Sequence, residues 1–229
     1  MSHRFDPTSL REYDIRGIVG KTLGPDDAYA IGRGFATHVR RVGGTRVAVG
    51  RDGRVSSPAL EKELVRGLTE SGVDVVRIGI GPTPMLYFAE ATLEVDGAVQ
   101  ITGSHNPADY NGFKMVLQHG PFFGEQIQSI GKMAAEGDWD EGTGEVTDYD
   151  IEDLYVDRLF AGYSGGAPYG AEGTRAGVVI SPPGLGARAD SSTASSSPAT
   201  PVSASTLGPA SAPSADRRRA RYDCASCHY

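Results

Sequence analysis

Gly97-Ala98-Val99-Gln100-Ile101-Thr102-Gly103-Ser104-His105-Asn106-Pro107 is the stretch on which the fold of this chain turns. Its first six residues form a short, largely apolar run that suits a buried strand. The run then breaks into a polar turn, where Gly103 permits a tight bend and Pro107 fixes the far side. Gly112 to Leu117 resumes as a strand. A strand opening directly into such a turn is how α/β sheets present ligand sites, at the carboxyl ends of their strands.

Working outward, β-rich runs alternate with helical patterns. Thr45 to Gly50 and Val73 to Ile80 read as strands. Between them, Leu60, Leu64 and Leu68 form a stripe four residues apart, opened by Ser57 as N-cap and Pro58 in the first turn. Asp26 to Arg41 is a second helix, with Ala30, Ile31, Phe35 and Val39 on one face and Gly43-Gly44 ending it. Thr83 to Thr92, Glu125 to Glu136 and Ile151 to Phe160 are further helices. The order implies an α/β fold, a mixed, mainly parallel sheet flanked by helices. Residues 1–150 are expected to form one domain. Residues 151–180 then supply a linking helix and, at Ala176 to Ile180, the first strand of a second, incomplete domain.

From Ser181 to Tyr229 the pattern changes. That stretch holds 27 Ser, Ala and Pro among 49 residues, and Leu185, Val202 and Leu207 are its only large aliphatic residues. So little apolar surface does not offset the entropy of ordering, and a disordered tail over 181–229 is expected. Its end, Cys224-Ala225-Ser226-Cys227-His228, matches the C-x-x-C-H haem-attachment pattern. No haem is expected, because the surroundings offer neither an apolar pocket nor an export signal. Arg217-Arg218-Arg219 reads as a solvated charge cluster.

The 229 residues carry 39% hydrophobic and 22% charged side chains, with a net charge of -7. That acidic balance argues against nucleic acid as a partner. No run approaches the ~18 apolar residues of a membrane span, so no membrane partner is expected. The N-terminus lacks the apolar segment of a secretory signal, and two cysteines make no disulfide framework. A cytoplasmic location is the expectation.

The turn after Thr102 gathers the chemistry: a hydroxyl at Ser104, an imidazole at His105, an amide at Asn106 and an ammonium nearby at Lys114. A serine so placed can carry a phosphoryl group if backbone N–H groups and cations offset its charge. An ordinary turn rich in Gly, Asn and Pro would look much the same. Two other segments add anion-binding groups. Arg11-Glu12-Tyr13-Asp14-Ile15-Arg16-Gly17 sets two arginines around a Tyr-Asp pair, and Gly50-Arg51-Asp52-Gly53-Arg54 leads into a helix N-terminus. Each is equally compatible with a structural Arg–Asp pair at the surface.

Thr102 to Pro107, Tyr110-Asn111-Gly112-Phe113-Lys114, Glu12 to Gly17 and Gly50 to Arg54 together resemble the N-terminal domain of the α-D-phosphohexomutase family. The resemblance is to its bacterial phosphomannomutase/phosphoglucomutase group and covers about residues 9 to 180. It implies interconversion of hexose 1- and 6-phosphates through a phosphoserine and a hexose bisphosphate intermediate. Ser104 would carry the phosphoryl group, and its phosphate would ligate Mg²⁺, the implied cofactor. Lys114 would act as general acid/base, and Arg16 would steady the transferring group. His105 would orient the serine or carry a proton. Tyr13, Arg51 and Asn106 would be substrate-binding.

The match is partial. The family's Asp-Gly-Asp-x-Asp-Arg magnesium loop has no counterpart, so the remaining metal ligands are absent from this sequence. The later sugar-specificity and phosphate-binding loops are missing too. After Val178-Val179-Ile180 the chain runs into Ser181-Pro182-Pro183-Gly184, as a shifted reading frame in GC-rich DNA would give. The expectation is an incomplete mutase without appreciable turnover of its own. The alternatives are a non-catalytic phosphosugar-binding module and a non-functional gene fragment.

Overall fold

The computed structural model describes residues 2–164. The strand expected at Ala176 to Ile180, the Ser/Ala/Pro-rich tail, the arginine run and the Cys224–His228 motif lie outside the described residues.

Helix α1 (Pro25–Arg41) starts where Gly24 donates its N–H to the Asp27 carboxylate at 2.7 Å, with Pro25 pre-set in the first turn. It ends at Gly43, whose φ of 84° is the left-handed geometry that stops a helix. Helix α2 (Ser57–Glu70) presents the expected Leu60, Leu64 and Leu68 stripe to the core. Its cap differs from expectation. Ser56, not Ser57, occupies the N-cap and makes no side-chain cap bond. The Ser57 hydroxyl instead donates to Asp52 at 2.6 Å, a charge-assisted bond that ties the start of the helix to the turn after residue 51. The backbones of α1 and α2 touch: a Cβ on Gly32 would lie 2.3 Å from the Leu64 carbonyl oxygen, and one on Gly67 2.3 Å from that of Tyr29.

The sheet is formed by β1 (Ile15–Ile18), β2 (Arg46–Arg51), β3 (Asp74–Ile80), β4 (Gly97–Ile101), β5 (Tyr110–Leu117), β6 (Gly120–Pro121) and β7 (Val146–Asp148). Strand order is β1-β5-β4-β2-β3-β7, with β6 pairing β5. The sheet is mixed, as expected. β4, β2, β3 and β7 run parallel, while β1, β5 and β6 add antiparallel pairs at the other side. Sequence patterning did not reveal β1, β6 or β7. Helices α3 (Thr83–Thr92) and α4 (Glu125–Glu136) fall where expected, and α5 (Glu152–Ser164) runs past the expected end at Phe160.

Helices α1, α2 and α4 cover one face of the sheet, over a core that includes Ile15, Phe35, Val49, Leu64, Phe113 and Ile130. The other face is covered by α3 and the start of α5, over a smaller set that includes Ala48, Ile78, Leu86, Ala98 and Val116. Among the described residues, no helix is long and apolar enough to cross a membrane.

Candidate active site

Strands β2 and β4 end side by side, and the Asp52 N–H donates to the Ile101 carbonyl at 2.9 Å just beyond them. The turn after β2 and the loop after β4 are thereby held against each other. Ser104 is exposed on the β4 loop with φ of 52°, left-handed geometry that is uncommon for a residue with a side chain. Gly103, expected to supply the bend, is not in that region; Ser104 takes the strained conformation itself.

A chain of hydrogen bonds ties the serine and its neighbours to Asp52. Its N–H donates to the Thr102 hydroxyl at 2.9 Å. The Thr102 hydroxyl donates in turn to Asp52. The Gly103 N–H donates to the same carboxylate at 3.0 Å. Burial pushes the Asp52 carboxyl up, but hydrogen bonds from Ser57, the Arg54 and Gly103 N–H groups and Thr102 outweigh it and hold the group below its ordinary value. Ser104 Oγ lies 3.4 Å from His105 Nδ1. Asn106 is spent within the loop, its side-chain amide donating to the Gly103 carbonyl at 3.1 Å.

Arg16 and Lys114 come from the antiparallel side. β1 and β5 pair Ile15 with Phe113 and Arg16 with Gly112, while Lys114 stands opposite Gln100 of β4. Strand alternation sends Ile15 and Phe113 to the α1/α2 face, so Arg16 and Lys114 share the α3 face. Arg16 is 8% exposed and ion-paired with Asp14, and its Nε has no protein partner. A buried guanidinium with a donor left over is poised for an anion.

Two expected residues are engaged elsewhere. Arg51 Nε donates to the Glu61 carboxylate at 2.8 Å, so this guanidinium is tied to α2 rather than to the serine loop. Tyr13 is 69% exposed and stacks on Phe123. The residue that sequence reading passed over is Arg54. Its guanidinium donates to the carbonyls of Pro107 (2.7 Å), Tyr110 (3.0 Å), Ser104 (3.0 Å) and Asn106 (2.7 Å). Nothing local in Arg51-Asp52-Gly53-Arg54 says which arginine turns toward the loop.

Among the described residues, no three His, Cys, Asp or Glu side chains gather as a metal site. The carboxylate beside the serine, Asp52, is occupied by the hydrogen bonds above. These residues therefore make no divalent-cation cage of their own.

A family profile described as phosphoglucomutase/phosphomannomutase, alpha/beta/alpha domain I, matches residues 7–141. A phosphoglucomutase of Neisseria gonorrhoeae is 47% identical over 157 residues, covering 66% of this chain and 33% of that protein. A phosphomannomutase/phosphoglucomutase of Pseudomonas aeruginosa is 45% identical over 154 residues, with 67% and 33% covered. The crystal structure of a phosphoglucomutase/phosphomannomutase family protein from Burkholderia thailandensis superposes with a TM-score of 0.67 at 44% identity, covering 69% of this chain and 36% of that one. The chain thus spans about a third of the length of the curated relatives it matches.

Proposed function

This chain belongs to the phosphoglucomutase/phosphomannomutase family, and on that premise we propose that residues 1–150 are the phosphoserine-bearing domain of a hexose-phosphate mutase. The observation that carries the reading is Ser104: exposed, left-handed and braced at the carboxyl ends of the parallel strands. In the proposed cycle, phospho-Ser104 gives its phosphoryl group to a hydroxyl of a hexose monophosphate. The P–O bond to Ser104 breaks, a P–O bond to the sugar forms, and a hexose bisphosphate results. The other phosphoryl group then returns to Ser104, leaving the isomeric monophosphate.

Lys114 takes the proton from the attacking hydroxyl and gives one back in the reverse step. Arg16, with a spare buried donor, steadies the transferring group. His105 orients Ser104 Oγ. Tyr13, Arg51 and Asn106 are the weaker, substrate-binding candidates, since the latter two already have protein partners. Mg²⁺ would meet this segment through the phosphate on Ser104, where it would supply positive charge against the phosphoryl oxygens. The location proposed is the cytoplasm.

With no carboxylate cluster among the described residues, slow turnover is expected of this chain, because positioning and charge stabilisation are nearly all the catalysis in phosphoryl transfer. The test uses the purified 229-residue chain, glucose 1,6-bisphosphate and Mg²⁺. Mass spectrometry should find one phosphoryl group on Ser104 and none in Ser104→Ala, while a coupled assay on mannose 1-phosphate and glucose 1-phosphate should show little turnover. A wild-type chain that takes up no phosphoryl group would sink the reading. Ser104-dependent turnover near ordinary enzymes, ~1–10³ s⁻¹, would show that no further carboxylates are needed.

A further inference from the structure

We propose that Arg54 is a positioning residue for the phosphoryl-carrying serine, holding the Ser104 loop in its strained shape without touching the substrate; this rests on the functional reading above. An arginine has five N–H donors and no acceptor. Here they face four loop carbonyls and one carboxylate: Nη1 serves Pro107 and Tyr110, Nη2 serves Ser104 and Asn106, and Nε faces Asp52 Oδ2 at 3.3 Å. Nothing is left over for an anion, so Arg54 acts on phosphate through the loop rather than by contact.

Two further observations point the same way. A Cβ on Gly103 would lie 2.2 Å from Arg54 Cζ and Nε, so the guanidinium holds its present place only because residue 103 has no side chain to push it away. In addition, the peptide bonds of the loop, like all those among the described residues, are trans. A carbonyl of Ser104 aimed at Arg54 therefore turns the following N–H, that of His105, away from the guanidinium. Loop carbonyls gathered on one cation leave fewer acceptors facing the place where a negative phosphoryl group must sit. Asp52 completes the brace from the other side by taking the Gly103 and Arg54 N–H groups.

The test compares wild type, Arg54→Gln, Arg54→Lys and Gly103→Ala as full 229-residue chains. One arm follows amide exchange at Ser104, Asn106 and Tyr110, whose N–H groups are bonded within the loop. The other follows the rate of Ser104 phosphorylation by glucose 1,6-bisphosphate with Mg²⁺. Arg54→Gln should speed exchange at those amides while strand β2 stays protected. It should also lower the maximal phosphorylation rate by on the order of 10²-fold, the cost of a misplaced reacting atom. The bisphosphate concentration for half-maximal rate should stay put, since Arg54 does not bind it. Lysine, a point charge without the planar fork, should not restore the rate. Gly103→Ala should imitate Arg54→Gln in wild-type background and add little to it, because both displace the same contact.

Unchanged exchange in Arg54→Gln, full rescue by lysine, or a raised half-maximal concentration at an unaltered rate would each overturn the proposal. Should wild type itself accept no phosphoryl group, the functional reading fails, and the exchange arm still decides what Arg54 does to the loop.

Discussion

The two faces of the sheet bury different kinds of side chain. Behind the α1/α2/α4 face, Phe35, Phe113, Phe122, Ile31 and Leu64 are completely or almost completely buried. The buried polar side chains of that helix layer have partners: Arg33 donates to Ser71, Tyr29 and Glu141, and Thr37 to the Arg33 carbonyl. The α3 face has the smaller apolar set and also carries Arg16, Lys114 and Gln100. Among the described residues, the two buried side-chain atoms without a partner, Arg16 Nε and Gln100 Oε1, are both on this face. One side of the sheet is packed for stability, and the other keeps polar capacity in reserve at some cost in folding free energy.

That contrast can be broken most easily with Phe35, which is fully buried and packs edge-on against Phe122. Phe35→Ala should cost about 3–5 kcal/mol in chemical denaturation. A loss below about 1 kcal/mol would mean that the apolar face is not what holds the domain together. Gln100→Met sharpens the comparison on the other side. It removes the bond from Gln100 Nε2 to the Gly81 carbonyl but also an orphaned buried oxygen. The two effects oppose each other, so stability should move by no more than about 1 kcal/mol. A larger loss would show that this face tolerates no change of polarity.

The smallest effect concerns His38 beneath α4, where its ring meets Phe122 and its Nε2 lies 2.7 Å from Ser129 Oγ. Burial, then the charge of Arg41, holds this imidazole below its ordinary value. The unfolded chain therefore binds a proton more readily than the folded one. The contribution is fully present above about pH 6.5, the unfolded value, and is lost as pH falls through the folded value. The unfolding midpoint should drop between neutral and mildly acid pH, and His38→Asn should flatten that drop. An unchanged slope in the variant would place the titrating group elsewhere.

The interior of the sheet was legible because its elements are long and carry a repeat. The leucines of α2 and the apolar runs of β2, β3 and β4 show the period of the structure they form. What escaped is short or externally determined. β1 has four residues, two of them Arg16 and Gly17, and finds its identity only by pairing with β5. β7 has three residues, all exposed, and is held by β3 and an ion pair from Arg77 to Asp148. At the site, Ser104 and its neighbours were legible as a loop. The division of labour between Arg51 and Arg54 was not, because the loop carbonyls that claim Arg54 lie about fifty residues on and Glu61, which claims Arg51, is at least as near to Arg54 in sequence.

The placement of β1 also bears on the order in which the domain assembles. α1, β2, α2 and β3 are consecutive and meet through short connections, with the two helices locked at Gly32 and Gly67. β1 must instead wait for Phe113 to reach Ile15, a closure spanning most of the domain, and late closure is the rule for such distant pairings. Arg16 rides on that strand. The expected folding kinetics follow: Ile15→Val should speed unfolding and leave the folding rate alone, whereas Ile31→Val should slow folding. The reverse pattern in chevron plots would put β1 in the nucleus. With β1 last, the loop that carries Ser104 takes shape before Arg16 is buried, so the two are brought onto one sheet only by the final closure.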